Sequence, residues 1–166
     1  MSANLTLYTH PMSRGRTVRW MLEECGATYD TAILDYGTTM KAPDYLAINP
    51  MGKVPALTHG DTVITEAAAI CAYLADLFPD KNLAPPPGSA ARGAYYRWLF
   101  FAAAPLEAAF VGKLVGHLAT PAQASTVGYG SYAQAMATLQ FAITQATPYL
   151  CGTQSPAADP YLTPTL

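Results

Sequence analysis

Over the first 80 residues, segments with the two-residue periodicity of strands alternate with segments of helical periodicity, and this order constrains the fold most. Leu5–Tyr8 and Tyr29–Leu34 have the pattern of strands, and between them runs a helical pattern that ends at Gly26. Two further strands, 54–58 and 62–64, form a hairpin and precede another helix. A strand, a helix and a strand in that order predict parallel pairing. The sequence therefore predicts a small mixed α/β sheet covered by helices, in the order βαβ and then ββα.

A proline-rich segment, residues 81–89, follows and is the best candidate for a domain linker. It would separate a first domain over residues 3–80 from a second domain over residues 90–166. In the second part, apolar residues repeat along one long helix from about residue 92 to 118, which Pro105 is expected to kink. A second helical region is expected from Thr120 to about residue 146, either continuous or broken at the glycines 128 and 130. The pattern predicts an all-α second domain.

Composition excludes several classes of function. Charged residues make up 12% of the chain and the net charge is −2, so we expect no nucleic-acid partner. The longest apolar run, Trp98–Leu106, is far too short to span a bilayer, and no basic leader precedes an apolar stretch. The cysteines at 25, 71 and 151 are widely spaced, which argues against a zinc site or a disulfide framework. We therefore expect a cytoplasmic protein with no membrane contact.

Three short motifs carry the chemistry. They are Asn49-Pro50-Met51-Gly52-Lys53-Val54-Pro55, then Thr65-Glu66-Ala67, and Tyr8-Thr9-His10-Pro11-Met12-Ser13. With the proline-rich linker, they resemble the cytosolic glutathione S-transferase family from Leu5 to about Leu162. The resemblance implies a thioredoxin-like domain followed by an all-α domain. It also implies a homodimer that conjugates the thiolate of glutathione, its co-substrate, to a small hydrophobic electrophile without a metal.

The resemblance implies that the Val54–Pro55 bond is cis. The N–H and C=O of Val54 would then pair with the backbone of the cysteinyl residue of glutathione, as an added strand does. The alternative is that Pro55 is an ordinary proline at the start of a strand.

Charged and terminal groups of glutathione have their own candidates. Glu66 would hold the ammonium group, and the N–H of Ala67, in the first turn of a helix, would bind the γ-glutamyl carboxylate. The family has a serine where Ala67 stands, so weaker binding is expected. Alternatively, Glu66 only favours the dipole of its helix. Lys53 is the preferred partner of the glycyl carboxylate, whereas Lys41 is equally well explained as a solvated surface lysine.

Ser13 aligns with the thiol-activating residue of the serine-type classes of the family. Its hydroxyl would donate to the glutathione sulfur and favour the thiolate, helped by the nearby helix N-terminus. The alternative is a serine that only caps the helix. Thr9, Met12 and Arg14 are near enough in sequence to compete for the role.

The resemblance fails near the end of the chain. The family has a Ser/Thr-x-x-Asp capping box there, whereas residues 155–160 place prolines at 156 and 160. We therefore expect a member whose helical domain is truncated or altered. Together with Ala67, this raises a second hypothesis, a catalytically silent binding or interaction module with the same fold.

Overall fold

The computed structural model describes residues 4–146 together with residues 149 and 150. The chain forms two compact units, Met1–Lys81 and Asn82–Leu166. The first contains four strands and three helices, which are β1 (Leu5–Thr9), α1 (Gly15–Cys25), β2 (Tyr29–Ile33), α2 (Pro43–Leu46), β3 (Ala56–His59), β4 (Thr62–Thr65) and α3 (Ala67–Leu77). Single 3₁₀ turns lie at Thr39–Lys41 and Pro79–Lys81.

The strands form one sheet in the order β2-β1-β3-β4. Strand β1 pairs with β2 in parallel, and β3 pairs antiparallel with both β1 and β4. The predicted βαβ unit and the predicted hairpin are therefore both confirmed. This is the thioredoxin-like arrangement that the resemblance implies.

Helices α1 and α3 pack against each other, and the apolar face of each is buried. In α1 the buried residues include Val18, Met21 and Leu22, which lie at the helical spacing read from the sequence. Gly26 ends α1 in the left-handed conformation, with φ 61° and ψ 33°. A separate apolar cluster joins Met40, Tyr45 and Ala56, and Val54 packs against it.

One predicted boundary in this unit is wrong by two residues. Strand β3 begins at Ala56 rather than Val54, because Pro55 has no N–H to donate to the ladder. Helix α3 begins at Ala67, which confirms the helix start expected at Glu66 and Ala67.

The second unit is helical in its described part. It contains α4 (Ala90–Phe101), α5 (Glu107–Leu114) and α6 (Tyr132–Gln145). A π-helical turn, Ala102–Leu106, joins α4 to α5 and contains Pro105, so the predicted disturbance of the long helix occurs where it was expected.

The second helical region is not one continuous helix from Thr120, and its long helix begins only after the glycines at 128 and 130, where the sequence allows a break. Between Thr120 and Ser131 only one 3₁₀ turn, Pro121–Gln123, forms, and Gly130 adopts a positive φ of 65°. Helix α6 begins after Ser131, whose side chain accepts from the backbone N–H of Gln134 in a capping box. A local cap, which the apolar periodicity does not reveal, sets this helix start.

None of the helices in the described ranges is both long and apolar enough to cross a membrane. Cys151 and the altered capping segment at residues 155–160 lie outside the described residues.

Candidate functional site

The candidate residues follow or precede strands that meet at one edge of the sheet. Because β3 runs antiparallel to β1 and β4, its start lies beside the ends of both strands. Tyr8 pairs with Ala56, and Ala56 pairs with Thr65. The loop after β1, the segment before β3 and the residue after β4 therefore converge. They carry Ser13, Val54–Pro55 and Glu66, respectively.

Ser13 lies half-buried in the loop between β1 and α1. Its Oγ donates to the carbonyl of His10 at 2.7 Å and accepts from the N–H of Gly15 at 3.0 Å. It also accepts from the N–H of His10 at 3.3 Å. This oxygen thus holds the first residue of α1 as a capping group does, while its proton is directed at a carbonyl that could be exchanged for another acceptor.

His10 orders the same loop. Its Nδ1 accepts from the N–H of Met12 at 3.1 Å, and its ring lies 4.4 Å from the ring of Tyr36. Because Nδ1 is an acceptor, the neutral ring carries its proton on Nε2. Met12 is 75% exposed and only its backbone contributes here. These contacts give His10 a structural role in the loop.

Close approach of the Thr9 side chain to the backbone of Gly15 fixes the start of α1. A Cβ placed on Gly15 would lie 1.9 Å from Oγ1 of Thr9. The helix therefore begins against the end of β1 only because residue 15 is a glycine. Thr9 is buried at this contact, whereas Ser13 is only half-buried.

The Val54–Pro55 peptide bond is cis, which confirms the expectation. The paired register of β3 begins only at Ala56. The backbone of Val54 consequently lies outside the ladder, at the edge where a further extended segment could pair with it.

Residues 49–53, which precede Val54, form a tightly bonded turn. The carbonyl of Lys53 accepts from the Tyr45 hydroxyl and from Nδ2 of Asn49, the latter at 2.8 Å. Oδ1 of Asn49 accepts from the N–H of Met51 at 3.1 Å. Asn49 and Tyr45 are buried, and the Lys53 side chain is exposed.

Lys41 contacts the same turn from the loop after β2. Its Nζ donates to the carbonyls of Met51 and Gly52 at 3.1 and 2.9 Å. The structure thus brings Lys41 to the turn that carries Lys53, although the two are twelve positions apart in the sequence.

Glu66 adopts a backbone conformation that residues other than glycine rarely use. Its φ is 67° and its ψ is 116°, at the N-cap of α3. Its carbonyl accepts the first N–H of the helix, from Ile70, at 2.9 Å. Such residues cost about 1–3 kcal/mol and cluster at functional sites. Ala67, the next residue, is 8% exposed and opens the helix with its N–H in the first turn.

Comparison with known proteins agrees with this geometry. Residues 3–76 match the family model described as the N-terminal domain of glutathione S-transferase. The glutathione S-transferase GST-4.5 of Xanthomonas campestris is 33% identical over 106 residues, which are 64% of this chain and 52% of that protein. GstA of Escherichia coli O157:H7 is 46% identical over 68 residues, 40% of this chain and 34% of that protein. The aligned part of the chain thus spans about a third to a half of these curated relatives.

Solved structures align over nearly the whole chain. A glutathione transferase homologue from Sulfitobacter with bound glutathione is 31% identical, with a TM-score of 0.74, and the match covers 98% of this chain and 81% of that one. BphK, a bacterial GST solved as a ternary complex, is also 31% identical, with a TM-score of 0.78 over 96% of this chain and 80% of that one. The chain belongs to the glutathione S-transferase family.

Two residues that shape the candidate site were not among the predicted site residues. Tyr45 and Asn49 both hold the carbonyl of Lys53. Asn49 stands at the start of the motif quoted above, and Tyr45 precedes it by four residues, one helical turn. That spacing was the available signal for a shared contact.

The described cysteines are not candidates for chemistry. Cys25 on α1 and Cys71 on α3 are fully buried and unpaired by disulfides. Burial raises the pKa of the Cys25 thiol to about 11 and that of Cys71 to about 12. A thiolate is the reactive form, so both thiols are inert at neutral pH. Among the described residues, no three His, Cys, Asp or Glu side chains are grouped so that they could hold a metal ion.

Proposed function

We propose that this protein is a glutathione transferase, in which the thiolate of bound glutathione attacks an electrophilic carbon of a small hydrophobic substrate. The sulfur–carbon bond forms as the leaving group departs with its electron pair, and the thiol proton is lost to solvent. The observation that carries the proposal is the convergence of the segments bearing Ser13, Val54 and Glu66 at one sheet edge.

Each part of glutathione has a proposed partner at this edge. The backbone of Val54, outside the ladder, pairs with the cysteinyl residue, and Pro55 holds that backbone in place. The carboxylate of Glu66 binds the ammonium, while the N–H of Ala67 binds the γ-glutamyl carboxylate at the start of α3. The exposed ammonium of Lys53 binds the glycyl carboxylate.

Ser13 is proposed to stabilise the thiolate. A neutral hydrogen bond such as the one from its hydroxyl to the His10 carbonyl contributes about 0.5–1.5 kcal/mol, and one to a charged acceptor about 1.5–3 kcal/mol. Exchange of the carbonyl for a sulfur anion is therefore favourable. The two N–H groups that donate to Oγ stay in place and polarise the hydroxyl.

Turnover of a model electrophile with glutathione tests the proposal, and Ser13→Ala tests the role of the hydroxyl. We expect the pKa of the bound thiol to be about one unit higher in this variant, because the lost hydrogen bond is worth about 1.4 kcal/mol, which corresponds to one pKa unit. The ultraviolet absorbance of the thiolate measures this pKa. Turnover at neutral pH should fall about tenfold.

Ser89 provides a matched control. Its Oγ donates to the Pro86 carbonyl at 2.7 Å and accepts from the N–H of Arg92 at 3.3 Å, so it binds the first turn of α4 much as Ser13 Oγ binds the N–H of Gly15 at the start of α1. Ser89→Ala should lose a similar stability, about 0.5–2 kcal/mol, and leave the thiol pKa unchanged. Equal thiol pKa values in both variants would show that Ser13 only stabilises the start of its helix. Tight glutathione binding without turnover in the unaltered protein would identify a silent binding module instead.

We further propose a cytoplasmic homodimer. The family resemblance and the absence of paired cysteines in the described residues support a reducing compartment. Exposed apolar side chains support association, among them Phe100 at 63% and Leu114 at 76% exposure.

A further inference from the structure

We propose that a cavity in the second unit binds a small uncharged phenol, with the aromatic ring against apolar side chains and the hydroxyl on His117. The cavity is formed by the loop between α5 and α6 alone, whereas the candidate glutathione residues belong to the first unit. Its volume is about 380 Å³, and pockets of roughly 300–1,000 Å³ are typical of sites for small molecules. The lining includes His117, Leu118, Gln123, Thr126, Val127 and Tyr129.

The loop that forms the cavity is folded back on α5. Gly116 turns the chain just after this helix with a φ of 73°, and the N–H of His117 donates to the carbonyl of Gly112 at 2.8 Å. A Cβ on Gly112 would lie 3.2 Å from the carbonyl oxygen of His117, so the loop backbone lies close against the helix. Further along, the N–H of Thr126 donates to the carbonyl of Gln123 at 2.9 Å. Backbone hydrogen bonds therefore hold the cavity wall.

The imidazole of His117 has one nitrogen engaged by the protein. Its Nδ1 lies 2.7 Å from the carbonyl oxygen of Val115. A carbonyl oxygen can only accept, so Nδ1 carries the proton of the neutral ring and Nε2 is an acceptor. A hydroxyl group of a ligand is a donor that matches Nε2.

Two further side chains of the lining offer donors. The Tyr129 hydroxyl accepts from the N–H of Ala119 at 2.9 Å, which leaves its own proton for another acceptor. Oε1 of Gln123 accepts from the N–H and the hydroxyl of Thr120 at 3.0 and 2.9 Å, so its amide group has its NH₂ to donate. A hydroxyl oxygen both donates and accepts, and it can therefore bond to the acceptor of His117 and to one of these donors.

The charge of this region favours an uncharged ligand. Between Lys113 and Asp159 the sequence contains no Asp, Glu, Lys or Arg. A carboxylate or an ammonium entering the cavity would lose hydration without gaining an ion-pair partner from its lining. Leu118 and Val127 offer apolar contact to an aromatic ring. A phenol satisfies both parts of the lining.

Titration of the full chain with 2-naphthol tests the site, followed by calorimetry and by the amide resonances of the protein. We expect one naphthol per chain, with shifts concentrated at residues 115–130. Its methyl ether, 2-methoxynaphthalene, cannot donate to Nε2, and 2-naphthoate is charged. Each should bind at least about tenfold more weakly than 2-naphthol.

Variants of His117 separate the acceptor from the fold of the loop. His117→Asn removes Nε2 but keeps an amide N–H for the Val115 carbonyl, and it should weaken 2-naphthol about tenfold. His117→Gln provides an amide oxygen as acceptor and should bind within about threefold of the unaltered protein. His59, which bonds to Tyr73 in the first unit, gives the control, because His59→Asn should leave the Kd unchanged.

The comparison of the three ligands needs no variant, so it decides the proposal even if a substitution unfolds the protein. Equal affinity for 2-naphthol and its methyl ether would overturn the hydroxyl contact with His117. Tighter binding of 2-naphthoate would overturn the assignment of an uncharged ligand. Absence of saturable shifts at residues 115–130 would reject the site itself.

Discussion

At the residue scale, a few side chains and glycines fix the loops that form the site. Gly15 allows α1 to start against Thr9, and Gly52 allows Lys41 to lie on the turn before Val54. Glu66 is held at a positive φ where a glycine would be more stable. Strained residues of this kind cluster at functional sites, so the conformation of Glu66 supports a role for it in the site.

Comparison of Gly52 with Gly60 measures the cost of the close approach of residue 52 to Met40 and Lys41. Both have a φ of 55°, but a Cβ on Gly60 meets nothing within 4 Å. Gly60→Ala should therefore lower the unfolding free energy by about 1–2 kcal/mol, which is the cost of holding an alanine in the left-handed conformation. Gly52→Ala should cost about 1–3 kcal/mol more, because the Met40 carbonyl is backbone and cannot move aside. Denaturant unfolding measures both, and equal losses would show that the turn relaxes.

At the scale of elements, the site depends on where helices and strands begin. Strand β3 begins after Pro55 and α3 after Glu66, so the two starts lie side by side at the sheet edge. The first turn of α3 offers backbone N–H groups there, which favour an anion. Packing of α3 against α1 holds this helix end in place.

Restoring a hydroxyl at the start of α3 should tighten glutathione binding. Ala67→Ser adds a donor toward the γ-glutamyl carboxylate, and a hydrogen bond to a charged group contributes at least about 1.5 kcal/mol. We expect the Kd to fall about tenfold in calorimetry. Ala69→Ser, on the exposed side of the same helix, is the control and should leave the Kd unchanged. A similar Kd for Ala67→Ser and the unaltered protein would contradict the assignment of this helix end.

The thiols buried between α1 and α3 should make the unfolding free energy fall at alkaline pH. Burial raises the pKa of Cys25 to about 11 and that of Cys71 to about 12, so both thiols stay protonated in the folded state after they ionise in the unfolded state. The contribution of the two thiols to the unfolding free energy is fully present below their pKa in the unfolded state, about 8.5. It is lost as the pH rises through their pKa values in the folded state. Each thiol should lower the unfolding free energy by about 1.4 kcal/mol per pH unit above pH 9.

Denaturant unfolding at pH 8 and pH 10 measures this slope. The double variant Cys25→Ala, Cys71→Ala is the comparison, because it removes both titrating groups while changing little volume. Its stability should fall less between the two pH values than that of the unaltered protein. Parallel declines would assign the alkaline loss to other groups.

At the scale of the whole molecule, the two units differ in chemistry. The candidate binding residues lie in the first unit. Beyond Arg97 the only formally charged side chains are Glu107, Lys113 and Asp159. Several large apolar side chains of the second unit are exposed, including Phe100 and Leu114. A chain with so little charge and so much exposed apolar surface gains by association, at roughly 25 cal/mol per Å² buried.

We therefore expect a homodimer at micromolar concentration in gel filtration with light scattering. Leu114→Glu should shift the equilibrium toward the monomer, because it places a charge on an apolar exposed surface. Gln140→Glu adds the same charge at an exposed polar position of α6 and should leave the mass unchanged. A monomer at tens of micromolar for the unaltered protein would reject the dimer.

The sequence by itself determined the kind and order of most elements. Apolar periodicity and turn residues act within a few positions, so they correctly predicted β1, the buried face of α1 and the β3–β4 hairpin. Local patterns were less successful at element starts. Pro55 delays β3, and the Ser131 cap, rather than the predicted helical region, sets the start of α6.

Only the tertiary structure decided how the candidate residues work together. The donation of Lys41 to residues 51 and 52, the direction of the Ser13 proton and the positive φ of Glu66 all arise where separate segments meet. Hydrogen bonds between segments depend on register and on close approach, neither of which has a local signature in the sequence. The motifs thus indicated candidate residues, and the sheet determined which of the segments carrying them meet at one edge.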